Sequence, residues 1–446
     1  MTGPLLAPWR PAGSNIDAWV AVGDPSHMSA TGPPPPERTA RRAPVASPGV
    51  PAWSPLSVRR LRGRAVVRDP DEAHRASTPL ELLFDLTCVV AVSRAAAALH
   101  HELVEGHVVD GVAGFAAGFF AVWWAWMNVT WFASAHDSDD PAHRVLTFVQ
   151  MAGVVVLAAG IARAVEDGDF LVVTVGYAIM RLALVVEWLR VARDVPETRR
   201  RALRYAVGIA GMQVLWFARL ALPAGPSAAS VVVLAIGELL VPTWAERADR
   251  PIFHLGHIEE RYGLFTIIVL GESILSSTVG FEAVVGERGL GAELVAIGLG
   301  GLVLAFASWW LYFDHPGHVS PSAAASFRWG YAHLLVFAAL AAVGAGASVA
   351  AEASGGHGDE RVAALAVAVP AAGYLLGLAV VMLVTGTGAG DLMVWPKLAA
   401  VPVLLLAGAA LPLGLAVPAC AAVMVVLAVW MVLVGPRQRA DHRAQP

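Results

Sequence analysis

The sequence predicts an all-α, polytopic integral membrane protein of about twelve transmembrane helices. Its 446 residues are 57% hydrophobic and only 15% charged, and the mean hydropathy is +0.62. A helix needs ~20 mostly apolar residues to cross ~30 Å of hydrocarbon, and twelve segments approach that length. Because lipid offers no partners to backbone N–H and C=O groups, these segments are expected to be helices and not open strands.

The predicted spans follow one another through mostly short connections. The last two are so close that a re-entrant pair is the alternative to two full spans. In chain order the twelve spans are 80–99, 110–134, 146–163, 169–190, 203–222, 229–245, 262–282, 291–313, 329–351, 362–385, 397–413 and 416–434.

Residues 1–79 differ in composition from the rest of the chain. They hold fourteen of the twenty-nine prolines, including the run 33–36, and a string of arginines. A segment of this composition without apolar periodicity cannot offset the entropy lost on ordering. We therefore predict a disordered cytoplasmic tail over 1–79, a transmembrane domain over 80–435 and a second cytoplasmic tail over 436–446.

Basic residues are distributed unequally among the predicted connections. With the N-terminus inside, the outside connections carry only Arg163, Arg288 and Arg361, whereas arginines recur in the inside connections. This positive-inside pattern, together with an even number of spans, predicts that both termini are cytoplasmic. The basic residues do not gather on one face, so nucleic acid is not expected as a partner.

Matching dipeptides recur along the chain at a constant offset of 181 residues. The offset predicts two parallel repeats, over 80–245 and 262–434, of the kind from which many transporters are built. The matching positions are Leu83-Phe84 with Leu264-Phe265, and Trp131-Phe132 with Tyr312-Phe313.

Carboxylates occur inside the predicted spans, where a charge costs roughly 2.5–3.5 kcal/mol. Such residues usually face a bundle interior or a wet cavity, so they predict a polar pathway. Glu81 and Asp85 stand four apart in the first span and therefore share one helix face. The alternative for Glu81 is a place in the first helical turn, which Pro79 and a Thr78 cap would begin.

Further charged residues lie in the fourth, sixth and seventh spans. Glu272 is roughly ten residues into the seventh span, ~15 Å along the helix and near the bilayer midplane. Glu238 lies in the sixth span and Arg181 in the middle of the fourth. A buried arginine needs an anion, and Asp85, Glu238 and Glu272 are the candidates.

Metal and cofactor sites are not expected. His254 and His257 lie three residues apart before the seventh span, close to Glu260. A helical zinc pair more often has three intervening residues, and no third ligand is evident. The two cysteines, Cys88 and Cys420, fall inside spans and are interpreted as small packing residues. Without a nucleotide-binding motif, an ATP-driven pump is not expected either.

Aromatic residues gather at the ends of the second and eighth spans. Aromatics at a helix end are typical of a belt at the membrane interface. The alternative for the second span is that Asn128 and Thr130 line a cytoplasmic mouth. The aromatic residues are Trp123, Trp124, Trp126, Trp131 and Phe132 in the second span, and Trp309, Trp310, Tyr312 and Phe313 in the eighth.

Three passages carry a resemblance to a known family. They are Glu81-Leu-Leu-Phe-Asp85-Leu, Trp131-Phe132 with the acids that follow, and the long run from Glu260-Arg261-Tyr262 to Glu272-Ser273. Together they resemble the bacterial low-temperature-requirement A family over about residues 75–435. The resemblance implies a multi-pass protein of the bacterial inner (plasma) membrane, linked by name to growth in the cold. It places the family's motif positions at Glu81, Phe84, Asp85, Glu260, Arg261, Gly263, Gly271 and Glu272.

The favoured function is that of a secondary transporter or permease for a small solute or ion, with proton coupling through Asp85 and Glu272. One alternative is a membrane-embedded enzyme for a lipid or isoprenoid-like substrate, in which His254 or His257 assists an acid. Another is a non-catalytic membrane protein for cold adaptation. Expected partners are membrane lipids and an unidentified solute or proton, and the oligomeric state is left open. The predicted substrate- or ion-binding residues are Glu81, Asp85, Arg181, Glu238, Glu260, Arg261 and Glu272.

Overall fold

The computed structural model describes residues 66–67, 76–137, 139–248, 253–314, 323–385 and 393–444. Twelve α-helices account for most of these residues, so the prediction of an all-α polytopic membrane protein is confirmed. Within the described ranges, two-residue strands at Val66–Val67 and His136–Asp137 pair antiparallel. Most of the predicted tail over 1–79 lies outside the described residues.

The helices follow in an unbroken series that matches the predicted number. They are α1 (Pro79–Val104), α2 (Val108–Ala135), α3 (Pro141–Glu166), α4 (Leu171–Asp194), α5 (Arg199–Arg219), α6 (Ala224–Ala245), α7 (Leu255–Arg288), α8 (Ala292–Phe313), α9 (Ala323–Ser354), α10 (Glu360–Val384), α11 (Val394–Ala410) and α12 (Leu413–Ala444).

Not all of these helices are equally suited to cross a bilayer. Nine helices of the described chain are long and apolar enough to do so by length and composition. The apolar parts of α6 and α11, Ala229–Ala245 and Val394–Ala410, are shorter. The remaining helix, α5, begins with three consecutive arginines, of which Arg199 and Arg200 are exposed and Arg201 is buried.

Several helices begin at side chains that satisfy their first backbone N–H groups. At α1, the Thr78 hydroxyl accepts from the Glu81 N–H at 3.2 Å, and the Glu81 carboxylate accepts from the Thr78 N–H at 2.7 Å. This reciprocal capping box, with Pro79 in the first turn, fixes where the helix starts. At α3, Asp140 accepts from the backbone of Ala142 and His143.

Two helices extend well beyond the spans that the sequence predicts. Helix α7 begins at Leu255 and not at 262, so the stretch from His257 to Arg261 is helical rather than a connection. Helix α12 continues to Ala444, through most of the segment predicted as a C-terminal tail. The difference arises because apolar runs mark only the hydrocarbon layer, whereas backbone hydrogen bonding continues outside it.

The helix pairs that pack together are similar in the two halves of the chain. In the first half, α1 packs on α2 and α3, α3 on α4, α4 on α5, and α5 on α6. In the second half, α7 packs on α8 and α9, α9 on α10, α10 on α11, and α11 on α12. The extensive contact of α8 with α12 has no equally extensive counterpart between α2 and α6. This pattern is the one that two parallel repeats would produce, and the repeat itself stays a prediction.

The tryptophans at the end of α2 lie in the protein core, so the expectation of an interface belt is wrong for them. Trp123, Trp124 and Trp126 have no exposed surface. The Trp126 ring stacks on Phe265 of α7, with ring centroids 4.2 Å apart. Because α2 is surrounded by other helices on this stretch, its aromatic residues fill the bundle interior. At the end of α8, by contrast, Trp309 and Trp310 are 47% exposed, as residues of a belt would be.

Candidate functional site: two buried charge clusters

A buried ion pair joins the first helix of one half to the first helix of the other. Arg261 of α7 donates from Nε to Asp85 Oδ2 of α1 at 3.0 Å, and from Nη2 to the other oxygen, Oδ1. Both side chains are 0% exposed. The Trp126 indole adds a third donor to Asp85, at 2.7 Å. The two contacts from the guanidinium and the one from the indole compensate for much of the hydration that the carboxylate loses on leaving water.

Glu81 extends this ion pair toward the start of α1. Its Oε1 lies 3.3 Å from His257 Nε2 and 3.6 Å from Arg261 Nη1. Its other oxygen caps α1, so Glu81 lies in the first helical turn, and its part in a polar pathway stays a prediction. We call Glu81, Asp85, Trp126, His257 and Arg261 the α1–α7 cluster.

The helical spacing explains why these side chains meet. Glu81 and Asp85 are four residues apart on α1, and His257 and Arg261 are four apart on α7. Each pair occupies one helix face, and the two faces oppose each other. The cluster holds two carboxylates, one guanidinium and one imidazole, so its net charge changes by a full unit when His257 or a carboxylate takes up a proton.

Glu260 lies beside the cluster and has a different contact. Its Oε1 accepts a hydrogen bond from the Ser77 N–H at 3.0 Å. Glu260 therefore ties the residues that precede α1 to the beginning of α7. The neighbouring His254 caps α7, since its Nδ1 accepts from the His257 N–H at 3.0 Å.

A second cluster surrounds Glu238 of α6, which is fully buried. Its carboxylate accepts from five side chains of α2, α4 and α5. Arg181 is one of them, so the anion that the sequence required for Arg181 is Glu238, and not Asp85 or Glu272. Trp124 Nε1 at 3.0 Å and Arg181 Nη2 at 2.9 Å donate to Oε2, and Tyr177 OH at 3.0 Å, Trp216 Nε1 at 3.2 Å and Gln213 Nε2 at 3.3 Å donate to Oε1. We call these six residues the Glu238 cluster.

Glu272 belongs to neither cluster. It lies eleven residues beyond Arg261 on α7, which is ~16 Å along the helix axis. It is half-buried, and its Oε1 accepts from the Ser276 hydroxyl at 3.0 Å. The structure therefore does not bring Asp85 and Glu272 together. A pocket of about 310 Å³ lies between α7, α8 and α9, and Ser273, Ser277 and Thr278 are among the residues that line it.

A third group of charges was not among the predicted site residues. Buried Glu187 of α4 lies 3.0 Å from His143 Nδ1 of α3 and accepts from Arg190 Nη1 at 2.9 Å. Arg190 also pairs with Asp140, whose carboxylate lies 2.5 Å from Nη2. Burial alone would raise the pKa of Asp140, but the backbone N–H groups that it caps and Arg190 hold this pKa below its usual value. Glu187 and Arg190 are three residues apart on α4, but only the packing of α3 on α4 brings His143 and Asp140 to them.

A buried histidine lies where α2 ends, outside the apolar span. His136 Nδ1 is 3.2 Å from the Phe132 carbonyl oxygen, and the ring stacks on Phe132 and meets the edge of Trp188. Burial lowers the pKa of His136 to about 4, although the Phe132 carbonyl favours the protonated ring. The neutral imidazole is therefore the form that packs in the folded protein.

Comparisons with known proteins identify relatives over most of the helical region. Residues 76–435 match the family model described as bacterial low temperature requirement A protein. A protein of Rhizobium meliloti (strain 1021), described as uncharacterized, is 27% identical over 288 residues. The aligned region covers 58% of this chain and 66% of that relative, so the chain spans just under two thirds of the relative's length.

Removing the Asp85 charge is expected to destabilise the protein strongly. Asp85→Asn should lower the free energy of unfolding by ~3–5 kcal/mol, because Arg261 would lose its two-point contact and keep only the more distant Glu81 as a counter-ion. The matched control is Asp139→Asn, which removes an exposed pair with Arg144 and should cost no more than ~1 kcal/mol. Thermal unfolding of the purified variants in detergent measures both effects, and equal destabilisation by the two substitutions would contradict this assignment.

The lowered pKa of His136 predicts sensitivity to acid. Its ordinary pKa is 6.5, so between pH 6.5 and about 4 the unfolded chain binds a proton that the folded protein does not. The contribution of His136 to the free energy of unfolding is fully present above pH 6.5 and declines as the pH falls, by ~2 kcal/mol at pH 5. The non-titrating His136→Gln should narrow the difference in unfolding temperature between pH 7 and pH 5, whereas His101→Gln, at an exposed position, should leave it unchanged. An unchanged difference in His136→Gln would refute the prediction.

Proposed function

We propose that this chain, which belongs to the bacterial low temperature requirement A family, is a secondary transporter or permease for a small solute or ion. The chain is a multi-pass membrane protein. We place it in the bacterial plasma membrane with both termini in the cytoplasm, as the distribution of arginines indicates. Transport is coupled to protons through intramembrane carboxylates, among them Asp85 and Glu272.

The α1–α7 cluster is the observation that carries this proposal. Alternating access moves one half of a transporter relative to the other around a site at their interface. Asp85 and Arg261 form a buried ion pair between the two halves, so separating the halves requires that the pair break. Protonation of Asp85 removes its negative charge and weakens its hold on Arg261. A proton thereby lowers the barrier to separation, which is the coupling that a secondary transporter needs.

In the proposed orientation, the α1–α7 cluster lies on the cytoplasmic side of the pathway. Asp85 and Arg261 each lie six residues from the first residue of their helices, ~9 Å along the axis, and both helices enter from the cytoplasm in the proposed orientation. Glu272 lies deeper, near the midplane. The pocket beside Ser273 is farther along α7 and has room for a small solute.

The geometry favours this function over a membrane-embedded enzyme. His257 and Glu272 lie fifteen residues apart on one helix, ~22 Å along its axis, so they do not act on the same bond. Asp85 has both oxygens engaged by Arg261, with Trp126 sharing Oδ1. An acid–base pair must instead reach a shared substrate atom within hydrogen-bond distance.

Proton flux in liposomes tests the proposal. The purified protein is reconstituted with a trapped pH-sensitive dye, and a membrane potential is imposed. We expect wild-type flux to fall at least tenfold in Glu81→Gln, which keeps a capping side chain at that position, and in Glu272→Gln. The matched control is Glu282→Gln at an exposed position near the end of α7, which should retain wild-type flux.

The folding of each variant is verified by its unfolding temperature before flux is compared. Flux that persists unchanged in both folded Glu81→Gln and Glu272→Gln would contradict coupling through these carboxylates. Absence of proton flux in the wild-type protein would contradict proton coupling altogether.

A further inference from the structure

Arg181 is buried with hydrogen-bonding capacity that the described part of the protein does not use. The residue is only 1% exposed. It makes one contact with Glu238, through Nη2, while Nε and Nη1 have no hydrogen-bond partner among the described residues. A buried charged donor left without an acceptor costs more than a neutral one. Two such nitrogens on one guanidinium indicate that an acceptor binds there.

Glu238 does not supply the missing acceptor. Its carboxylate has about four lone-pair sites and already accepts from five side chains. The oxygen that Arg181 does not contact, Oε1, is held by Tyr177, Gln213 and Trp216. Rotating it toward Arg181 would break those three hydrogen bonds, so the spare donors of Arg181 remain available.

Another buried arginine, Arg261, makes a two-point contact with its carboxylate. Arg261 uses Nε and Nη2 together on Asp85, with one carboxylate oxygen for each nitrogen. Arg181 has a single contact with its carboxylate. The difference is not one of burial, because both side chains are almost fully enclosed. It lies in the number of acceptor atoms presented to each guanidinium.

A cavity leads to this region from the end of the helices opposite to the α1–α7 cluster. It has a volume of about 60 Å³, and it is bounded by α2 to α6. Tyr177 and Trp216 line it, and both donate to Glu238. The guanidinium of Arg181 lies over the Tyr177 ring, with Cζ 5.7 Å from the ring centroid. Only one aromatic side chain therefore separates the cavity from the unused donors.

A second arginine lines the same cavity. Arg219, near the end of α5, stacks over the Phe170 ring at 4.5 Å, and both residues are part of the cavity wall. Most of the remaining wall is apolar. A cavity whose charged wall residue is a cation favours an anion over a cation.

We propose that the Glu238 cluster and the adjoining cavity form a binding site for a small monovalent anion, held by the unused Nε and Nη1 donors of Arg181. Chloride and acetate represent the class. A water molecule occupies ~10–15 Å³ of such a volume, so the cavity of about 60 Å³ has room for a halide or a short carboxylate beside the Tyr177 ring, behind which Arg181 lies. One negative charge is favoured because Arg181 already has one counter-ion in Glu238.

Binding of the anion is an equilibrium property of the protein and does not depend on proton coupling. Whether the bound anion is the transported solute rests on the proposed function. Binding is therefore measured without a gradient, so that a failed binding test and a failed flux test are distinguishable.

The experiment follows the unfolding temperature of the purified full-length protein in non-ionic detergent. Sodium chloride or sodium acetate replaces sodium gluconate at constant ionic strength. A ligand that binds only the folded state raises the unfolding temperature in a saturable way. We expect this rise for chloride and acetate against gluconate, the bulky reference anion.

Three variants locate the site. Arg181→Lys keeps a positive charge beside Glu238 but removes the spare donors, and should require at least tenfold more chloride for the same rise. Ala117→Leu fills the cavity wall while leaving Arg181 intact, and should also abolish the saturable rise. Arg144→Lys at an exposed position should respond as the wild type does.

The following outcomes would contradict the proposed anion site. No difference between chloride, acetate and gluconate in the wild type would mean that water, and not an anion, satisfies Arg181, and would overturn the proposal. An unchanged chloride response in Arg181→Lys would overturn it as well. Should Arg181→Lys fail to fold, the cavity variant Ala117→Leu decides, because an unchanged response there would exclude this cavity as the route.

Discussion

The architecture depends on the burial of Arg261. A guanidinium in a helix bundle within the membrane is stable only beside a fixed anion, and Asp85 supplies that anion from the other half of the chain. The contact requires that α1 and α7 run side by side with a defined register. Trp126 of α2 then meets the same carboxylate and packs its ring on Phe265 of α7. The ion pair thus fixes three helices relative to one another, and with them the junction between the two halves.

The same chemistry recurs in the Glu238 cluster, with a different outcome. In both clusters an indole N–H from α2 donates to a buried carboxylate, so tryptophans replace the water that each acid loses. Asp85 and Arg261 satisfy each other through two contacts. Around Glu238 the donors outnumber the acceptors, which leaves Arg181 with unused capacity. One cluster is therefore suited to hold the halves together, and the other to receive a ligand.

The sequence predicted the helices and indicated which charged residues lie inside them. It did not indicate which of these residues pair with one another. The spacing of Glu81 and Asp85 correctly placed both on one face, because periodicity within a helix is a local property. Arg261 was expected in a connection, since a basic residue near a span end usually lies at the membrane edge. The structure places it inside α7 instead, fully buried. Its partner lies 176 residues away, and no local pattern encodes such a contact.

The carboxylate partner of Arg181 could not be predicted from local patterns either. Burial of an arginine required a carboxylate, and three acids in the spans met that requirement equally well. Only the packing of α4, α5 and α6 selects Glu238. Likewise, the contact of Glu187 with His143 depends on how α3 lies against α4. Whether the two halves are repeats remains a prediction, although they pack through similar sets of helix pairs.

The reactivity of Cys88 tests most directly whether the Asp85–Arg261 pair keeps the junction closed. Cys88 lies three residues after Asp85 and is buried, and Cys420→Ala leaves it as the only thiol. In that background, a small permeant maleimide should modify Cys88 slowly, and at least tenfold faster in Asp85→Asn. Cys420, tested in a Cys88→Ala background, should stay equally protected with and without Asp85→Asn, which separates local opening from unfolding. Equal rates at Cys88 with and without Asp85→Asn would contradict the account.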